Sequence, residues 1–142
     1  MIILFKKLLP SASLPKYAKE GDSGMDVAAA EATVIPRRGY AKVRTGLAAI
    51  IPAGYELQLR PRSGLQCNKG IVGAFGTIDN GYRGEIGVVL YNHTDAPFYV
   101  EVGDRVAQLV PMQVRQFQIM EHTGDMPASE RGASGFGSSG MK

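Results

Sequence analysis

An all-β fold, a sandwich or barrel, is what this sequence predicts, and three observations predict it. Short apolar runs recur along the chain with Gly and Pro turns between them. Several runs alternate apolar with polar residues, the period of a half-buried strand. No stretch of ten or more residues holds a helical period, and the best candidate, Ser63 to Asn68, is one or two helical turns at most. Many short strands with frequent turns build a sandwich or barrel. The 142 residues suit one domain, and 44% hydrophobic with 20% charged residues reads as globular and soluble.

Residues 2 to 9 read as a strand closed by Pro10, and Ser11 to Gly24 as a polar loop. Val27 to Ala32 is small and apolar, a short strand, followed by a turn at Ile35-Pro36-Arg37-Arg38-Gly39. Tyr40 to Ile51 reads as a strand pair interrupted at Gly46. Pro52-Ala53-Gly54 has the composition of a type II turn. Tyr55, Leu57 and Leu59 alternate with Glu56, Gln58 and Arg60, as Phe98, Val100 and Val102 do with Tyr99 and Glu101. Val106 to Met112 is apolar apart from Gln108. Phe117 and Ile119 alternate with Gln116 and Gln118, and from Glu121 the apolar pattern stops.

Residues 70 to 92, GIVGAFGTIDNGYRGEIGVVLYN, carry the densest chemistry. Two apolar runs, Ile71 to Ile78 and Ile86 to Tyr91, flank Asp79-Asn80-Gly81. This predicts a β-hairpin with Asn-Gly supplying positive φ at the bend. The run Ile86 to Tyr91 is apolar in both phases, which predicts burial on both faces and favours cover by another subunit. Gly73, Gly76, Gly81, Gly84 and Gly87 exceed what one bend needs, which points to bulges or to a flat ligand lying on bare backbone. The residues leave two readings: an ordinary hairpin with a solvated tip, or a pocket for a base and a sugar.

One cysteine, Cys67, cannot pair within the chain, so a reducing cytoplasm (or nucleus, in a eukaryote) is expected. The start MIILFKKLL is too short to span a membrane. The net charge of +3 suits a polyphosphate or a nucleic acid and decides neither. His93, His122 and Cys67 lack zinc-ligand spacing. No strand shows the interleaved aromatics of a single-strand nucleic-acid platform.

Four more stretches look chemical. Asp22-Ser23-Gly24-Met25-Asp26 puts two carboxylates at a loop-to-strand junction, a pattern an ordinary turn shares. Arg60-Pro61-Arg62-Ser63-Gly64-Leu65 leads two arginines into a short helical turn, an anion site or a solvated basic loop. Gly103-Asp104-Arg105 is a turn, and Gln108 beyond it needs partners, from protein or ligand. Residues 132 to 140, GASGFGSSG, read as a floppy tail, yet with Arg131 they also suit a phosphate lid.

The order and spacing of five stretches are specific: DSGMD at 22–26, RPRSGL at 60–65, GTIDNGYRGEIGVVLYN at 76–92, GDRVAQLV at 103–110 and RGASGFGSSG at 131–140. Together they resemble the five motifs of the trimeric dUTPase family. The resemblance implies a distorted jelly-roll or β-sandwich barrel over residues 1–120 and a flexible arm over 121–142. It implies a homotrimer whose sites lie between subunits. It implies hydrolysis of dUTP to dUMP and pyrophosphate with Mg²⁺, keeping uracil out of DNA and supplying dUMP for thymidylate synthesis.

On that resemblance Asp79 would orient the attacking water and take its proton, and Gln108 would help position the water. Tyr82 would pack under deoxyribose and exclude a 2′-hydroxyl. Backbone around Gly73, Gly76, Thr77, Ile78, Glu85, Ile86 and Gly87 would form the uracil pocket. Phe136 would stack on the base. Arg62, Ser63, Gly64, Arg131, Gly137, Ser138 and Ser139 would hold phosphates, and Asp26 would reach Mg²⁺ through water. Met25, the tip Asp79-Asn80-Gly81-Tyr82, which lacks a second acidic residue before the Tyr, and Ser139 depart from common family choices without removing a functional group.

Two other readings compete. A dCTP deaminase-like enzyme shares the fold, but deamination as read in that family uses a Glu after the hairpin, and Ile86 to Thr94 holds no acidic residue. A non-catalytic nucleotide-sensing module would be favoured by loss of Asp79 or the tail, and both are present.

Overall fold

Alternation along the chain converts into strands that find their partners far away in sequence. The computed structural model describes residues 1–135. In it the chain forms β1 (Leu4–Lys7), β2 (Met25–Ala28), β3 (Thr33–Ile35), β4 (Tyr40–Arg44), β5 (Leu47–Ile50), β6 (Tyr55–Arg60), α1 (Ser63–Lys69), β7 (Ile71–Gly73), β8 (Gly76–Ile78), β9 (Gly87–Asn92), β10 (Phe98–Val100) and β11 (Arg105–Gln113). The all-β, jelly-roll-like class holds, and the one short helix among the described residues falls where the sequence placed it.

Four strands pair in the order β2-β11-β6-β8 and three in the order β4-β9-β7, while β1 pairs β5 and β10 pairs β3. Every pairing is antiparallel. None joins strands adjacent in the chain, so the topology is interleaved rather than a meander. The expected strand pair at 40–51 is therefore corrected. Gly46, at φ 62°, turns the chain, and β4 and β5 then enter different sheets.

The core is the inward phase of these strands. On β6, Leu57 and Leu59 are buried while Glu56, Gln58 and Arg60 are less so. Val27, Val43, Leu47, Ile71, Ile86, Val88, Leu90 and Leu109 complete the centre. Buried Asn92 is satisfied, donating through Nδ2 to the carbonyls of Ile35 (3.2 Å) and Ala96 (2.8 Å).

Three expectations change. The strand expected over Val27 to Ala32 starts at Met25 and ends at Ala28. β3 falls on Thr33 to Ile35, where the sequence suggested only the approach to a turn. Phe117 and Ile119 form no strand and are exposed, because β11 ends at Gln113 and no described strand pairs with residues 117–119. Within one chain β9 buries one face and leaves the other open for the expected cover by a further subunit: Val88 and Leu90 point inward, whereas Tyr91 is 42% exposed and meets Tyr40 at a ring-centroid distance of 5.7 Å. No helix among the described residues is long and apolar enough to cross a membrane.

Candidate active site

The stretch around Asp79 begins as a hairpin and then opens. β7 pairs with the far end of β9, Ile71 opposite Asn92 and Gly73 opposite Leu90. The Ala74 amide still bonds the Val89 carbonyl at 2.8 Å. Beyond it, Gly76 to Ile78 crosses to the other sheet and pairs with β6. The two arms part there, and a slot of about 270 Å³ lies between them. Gly76, Thr77, Ile78 and Asp79 line one side; Tyr82, Glu85, Ile86 and Gly87 line the other. β8 is the edge strand of its sheet, so its outer backbone groups face the slot and remain free to read the edge of a planar ligand.

The bend differs from the expected one. The Tyr82 amide donates to the Asp79 carbonyl at 3.0 Å, but neither Asn80 nor Gly81 takes a positive φ. Mirror-image turns serve hairpins whose strands pair up to the tip. These arms have already separated, so no strand twist has to be matched.

Around the slot, bare glycines let side chains lie on backbone. A Cβ on Gly84 would come within 2.6 Å of Tyr82 Cζ, so the phenol ring sits over Gly84. Its hydroxyl donates to the Glu85 carbonyl at 3.0 Å. The Lys42 side chain lies across Gly87 in the same manner and lines the slot. Thr77 and Asp79 are exposed, and Ile86 is buried. Asp79 also borders a wider depression of about 460 Å³ with Gly54, Tyr55, Glu56, Asn80, Val114 and Gln116. Gly73 stands apart from the slot: it is buried, and a Cβ there would meet Pro61 Cα at 3.3 Å.

The Glu85 carboxylate points away from the slot. It accepts Arg44 Nη2 at 2.9 Å and the Gly46 amide at 2.9 Å. The Arg44 bonds hold its carboxyl below the ordinary value, burial opposes them, and the Gly46 amide adds to them.

A second cluster forms on β2, β11 and the start of α1. Register places Gln108 opposite both Asp26 and Arg60, so the three side chains share one face of the sheet. Gly24 packs on Gln108, where a Cβ would meet Oε1 at 3.0 Å. The Asp26 side chain is only 12% exposed and lies 3.0 Å from Arg62 Nε and 3.2 Å from Arg105 Nη1. Arg62 approaches closely but off the hydrogen-bond direction, which leaves Asp26 Oδ1 buried without a directed donor. Arg62 also donates to the Arg105 carbonyl at 3.1 Å. Ser63 and Gly64, the first residues of α1, are exposed.

The two clusters do not meet within one chain. Gln108 is opposite Arg60, whereas Ile78, next to Asp79, is opposite Leu57. Asp79 is thus about four residues, roughly 13 Å, along the sheet from the Asp26–Gln108 row. Arg131 is exposed and bonds within its own segment, Nε to the Ser134 carbonyl at 3.0 Å. Phe136, Gly137, Ser138 and Ser139 lie outside the described residues.

Among the described residues no group of three or more His, Cys, Asp or Glu side chains could cage a metal ion. A carboxylate with one oxygen lacking a directed donor, beside arginines suited to phosphate, fits Mg²⁺ held mainly by water and substrate phosphates. The sequence reading missed Lys42, Arg44 and Arg105. Arg105 had a signal, its place in the GDR turn; Lys42 and Arg44 emerge only once β4 is set against β9.

Known proteins similar to this chain point to one family. The dUTPase family profile matches residues 10–140. The chain is 48% identical over 138 residues to the deoxyuridine 5′-triphosphate nucleotidohydrolase of Picosynechococcus, covering 94% of this chain and 95% of that one. It is 43% identical to the Helicobacter pylori protein of the same name, covering 99% and 98%. The solved structure of the Staphylococcus bacteriophage 80alpha dUTPase with dUPNHPP superposes with a TM-score of 0.92 at 30% identity, covering 98% of each chain.

Proposed function

The chain belongs to the dUTPase family and hydrolyses dUTP to dUMP and pyrophosphate; from that premise we propose how its residues do so. Asp79, at the mouth of the opened hairpin, orients a water and takes its proton as the water oxygen bonds the α-phosphorus. The bond from that phosphorus to the β-phosphate bridging oxygen breaks, and pyrophosphate leaves. Position and proton acceptance together are what a general base contributes. The carrying observation is the slot itself: edge backbone on one wall, a tyrosine ring on the other and a carboxylate at the opening.

In this reading uracil pairs with backbone from Gly76 to Ile78 and from Glu85 to Gly87, and Tyr82 underlies the deoxyribose. Arg62, Ser63, Gly64, Arg131, Ser138 and Ser139 donate to phosphate oxygens with Gly137 backbone, Gln108 holds the water, and Phe136 covers the base. Asp26 would hold Mg²⁺ through water. Bound there, the ion would neutralise charge on the phosphates and the leaving group.

The site is completed by other copies of the chain, in a homotrimer. The separation between Asp79 and the Asp26–Gln108 row supports this, as does the uncovered face of β9. Residues 121–142 serve as an arm reaching another subunit's site. The exposed, unpaired Cys67 supports a cytoplasmic location. Deamination is not favoured, since the relatives are dUTP nucleotidohydrolases and Ile86 to Thr94 carries no acid.

The test is pyrophosphate release with Mg²⁺ from dUTP, UTP, dTTP and dCTP, for wild type and Asp79→Asn. Release from dUTP alone is expected, with kcat reduced on the order of 10³-fold in a variant that still folds. Full activity in Asp79→Asn would remove Asp79 from its role, and ammonia from dCTP would restore the deaminase reading.

A further inference from the structure

We infer that Arg44 and Glu85 form a positioning pair for the Tyr82 ring, and so set how strictly the slot separates deoxyribose from ribose. The inference rests on the proposed place of Tyr82 beneath the sugar.

Residues 82–86 belong to no strand, so no ladder fixes the wall of the slot that carries Tyr82. The turn between β4 and β5 fixes it instead. The Ile86 amide donates to the Leu47 carbonyl at 2.7 Å, and the Thr45 hydroxyl donates to the Ile86 carbonyl at 2.5 Å. The Gly46 amide and Arg44 hold the Glu85 carboxylate, with Arg44 Nε 3.0 Å and Nη2 2.9 Å from Oε2. The Tyr82 hydroxyl then hangs on the carbonyl of this same Glu85. Two residues of the recognition wall are thereby tied to one four-residue turn.

That turn is a firm support. A Cβ on Gly46 would meet Ala12 Cβ at 2.9 Å and Leu9 Cβ at 3.1 Å, so the bend is pressed into the core. Arg44 is braced from the other side by Glu31, 2.8 Å from Nη1. The Glu85 side chain is 20% exposed, sheltered enough for charge-assisted bonds to hold its geometry. Excluding one extra hydroxyl is a matter of contact distance, so a small relaxation of this wall makes room for ribose. Asp79 is held on the opposite wall, next to β8, and should keep its position when the pair is cut.

The experiment measures kcat and KM for dUTP and UTP with Mg²⁺ in the full-length chain. The variants are Arg44→Met, Glu85→Gln, their double and Arg44→Lys. For each single variant we expect KM for dUTP to rise about tenfold and kcat to change less than about threefold. The dUTP-over-UTP ratio of kcat/KM should fall about tenfold. The double should be no worse than the worse single, because both cut one connection. Arg44→Lys should recover part of the ratio. An unchanged ratio in Arg44→Met and Glu85→Gln overturns the inference. So does an equal KM rise for dUTP and UTP, which would mark a purely structural pair whatever the Tm. Calorimetric affinities for dUMP and UMP read the same discrimination without turnover, so failure of hydrolysis and failure of this inference stay separate.

Discussion

The nucleoside slot and the Asp26–Gln108 cluster are built in opposite ways. One continuous stretch, residues 76–87, supplies most of the slot walls, and a single turn, 44–47, braces it. The cluster gathers Asp26, Arg62, Arg105 and Gln108 from two strands and a helix start, and its arginines are occupied by Asp26. The slot is shaped before any ligand arrives. The cluster's charges are paired with one another, and in the proposed reading a polyphosphate competes for them. Base and sugar discrimination requires fixed contact distances, whereas phosphate binding requires charge that can be redirected.

If each site takes its slot and its C-terminal arm from different copies, inactive variants of the two should complement each other. Co-expressing Asp79→Asn with a chain lacking residues 131–142 should restore about a quarter of wild-type activity when subunits mix at random, since each site draws on different copies. No recovery in verified mixed oligomers would place both elements in one subunit's site. Alone, the deletion should lower kcat about a hundredfold while sedimentation shows an unchanged oligomer. Asp26→Asn separates the regions further. It should raise the Mg²⁺ concentration for half-maximal activity about tenfold and leave the dUTP-over-UTP ratio unchanged, because the slot does not contain it.

The smallest expected effect lies on the slot side. Glu85 has a lowered carboxyl in the folded chain, set by Arg44 and Gly46 with a lesser contribution from Lys42; Glu31 faces it through Arg44. A lowered carboxyl stabilises the fold above the ordinary glutamate range, and that contribution disappears as pH falls through the depressed value. The Tm gap between wild type and Glu85→Gln should therefore be constant near neutrality and close in acid. A gap that widens in acid would contradict the pairing.

Much of the fold was legible because alternation and turn composition act locally. The pattern Tyr55 to Arg60 marks its own inward phase, and Ser63 to Asn68 marks its own helical turn. The stretch at 76–92 marked the place of the slot through its glycines, Asp79 and Tyr82. The errors share one cause, pairing over distance. Tyr40 to Ile51 looked like two paired strands, yet β4 goes to β9 and β5 to β1. The bend at Asn80-Gly81 looked like a mirror-image turn, yet the arms had already parted beyond Ala74.

The sequence by itself determined the all-β class, the family through five ordered motifs, and the identity of the groups at the slot mouth. These depend on residue type and near spacing, which the covalent chain carries directly. Tertiary structure alone decided that the hairpin opens, that Glu85 turns from the slot to Arg44, and that Arg62 and Arg105 converge on Asp26. Those outcomes depend on which strands pair and in what register. Contacts between residues tens of positions apart settle that, and no local pattern records them.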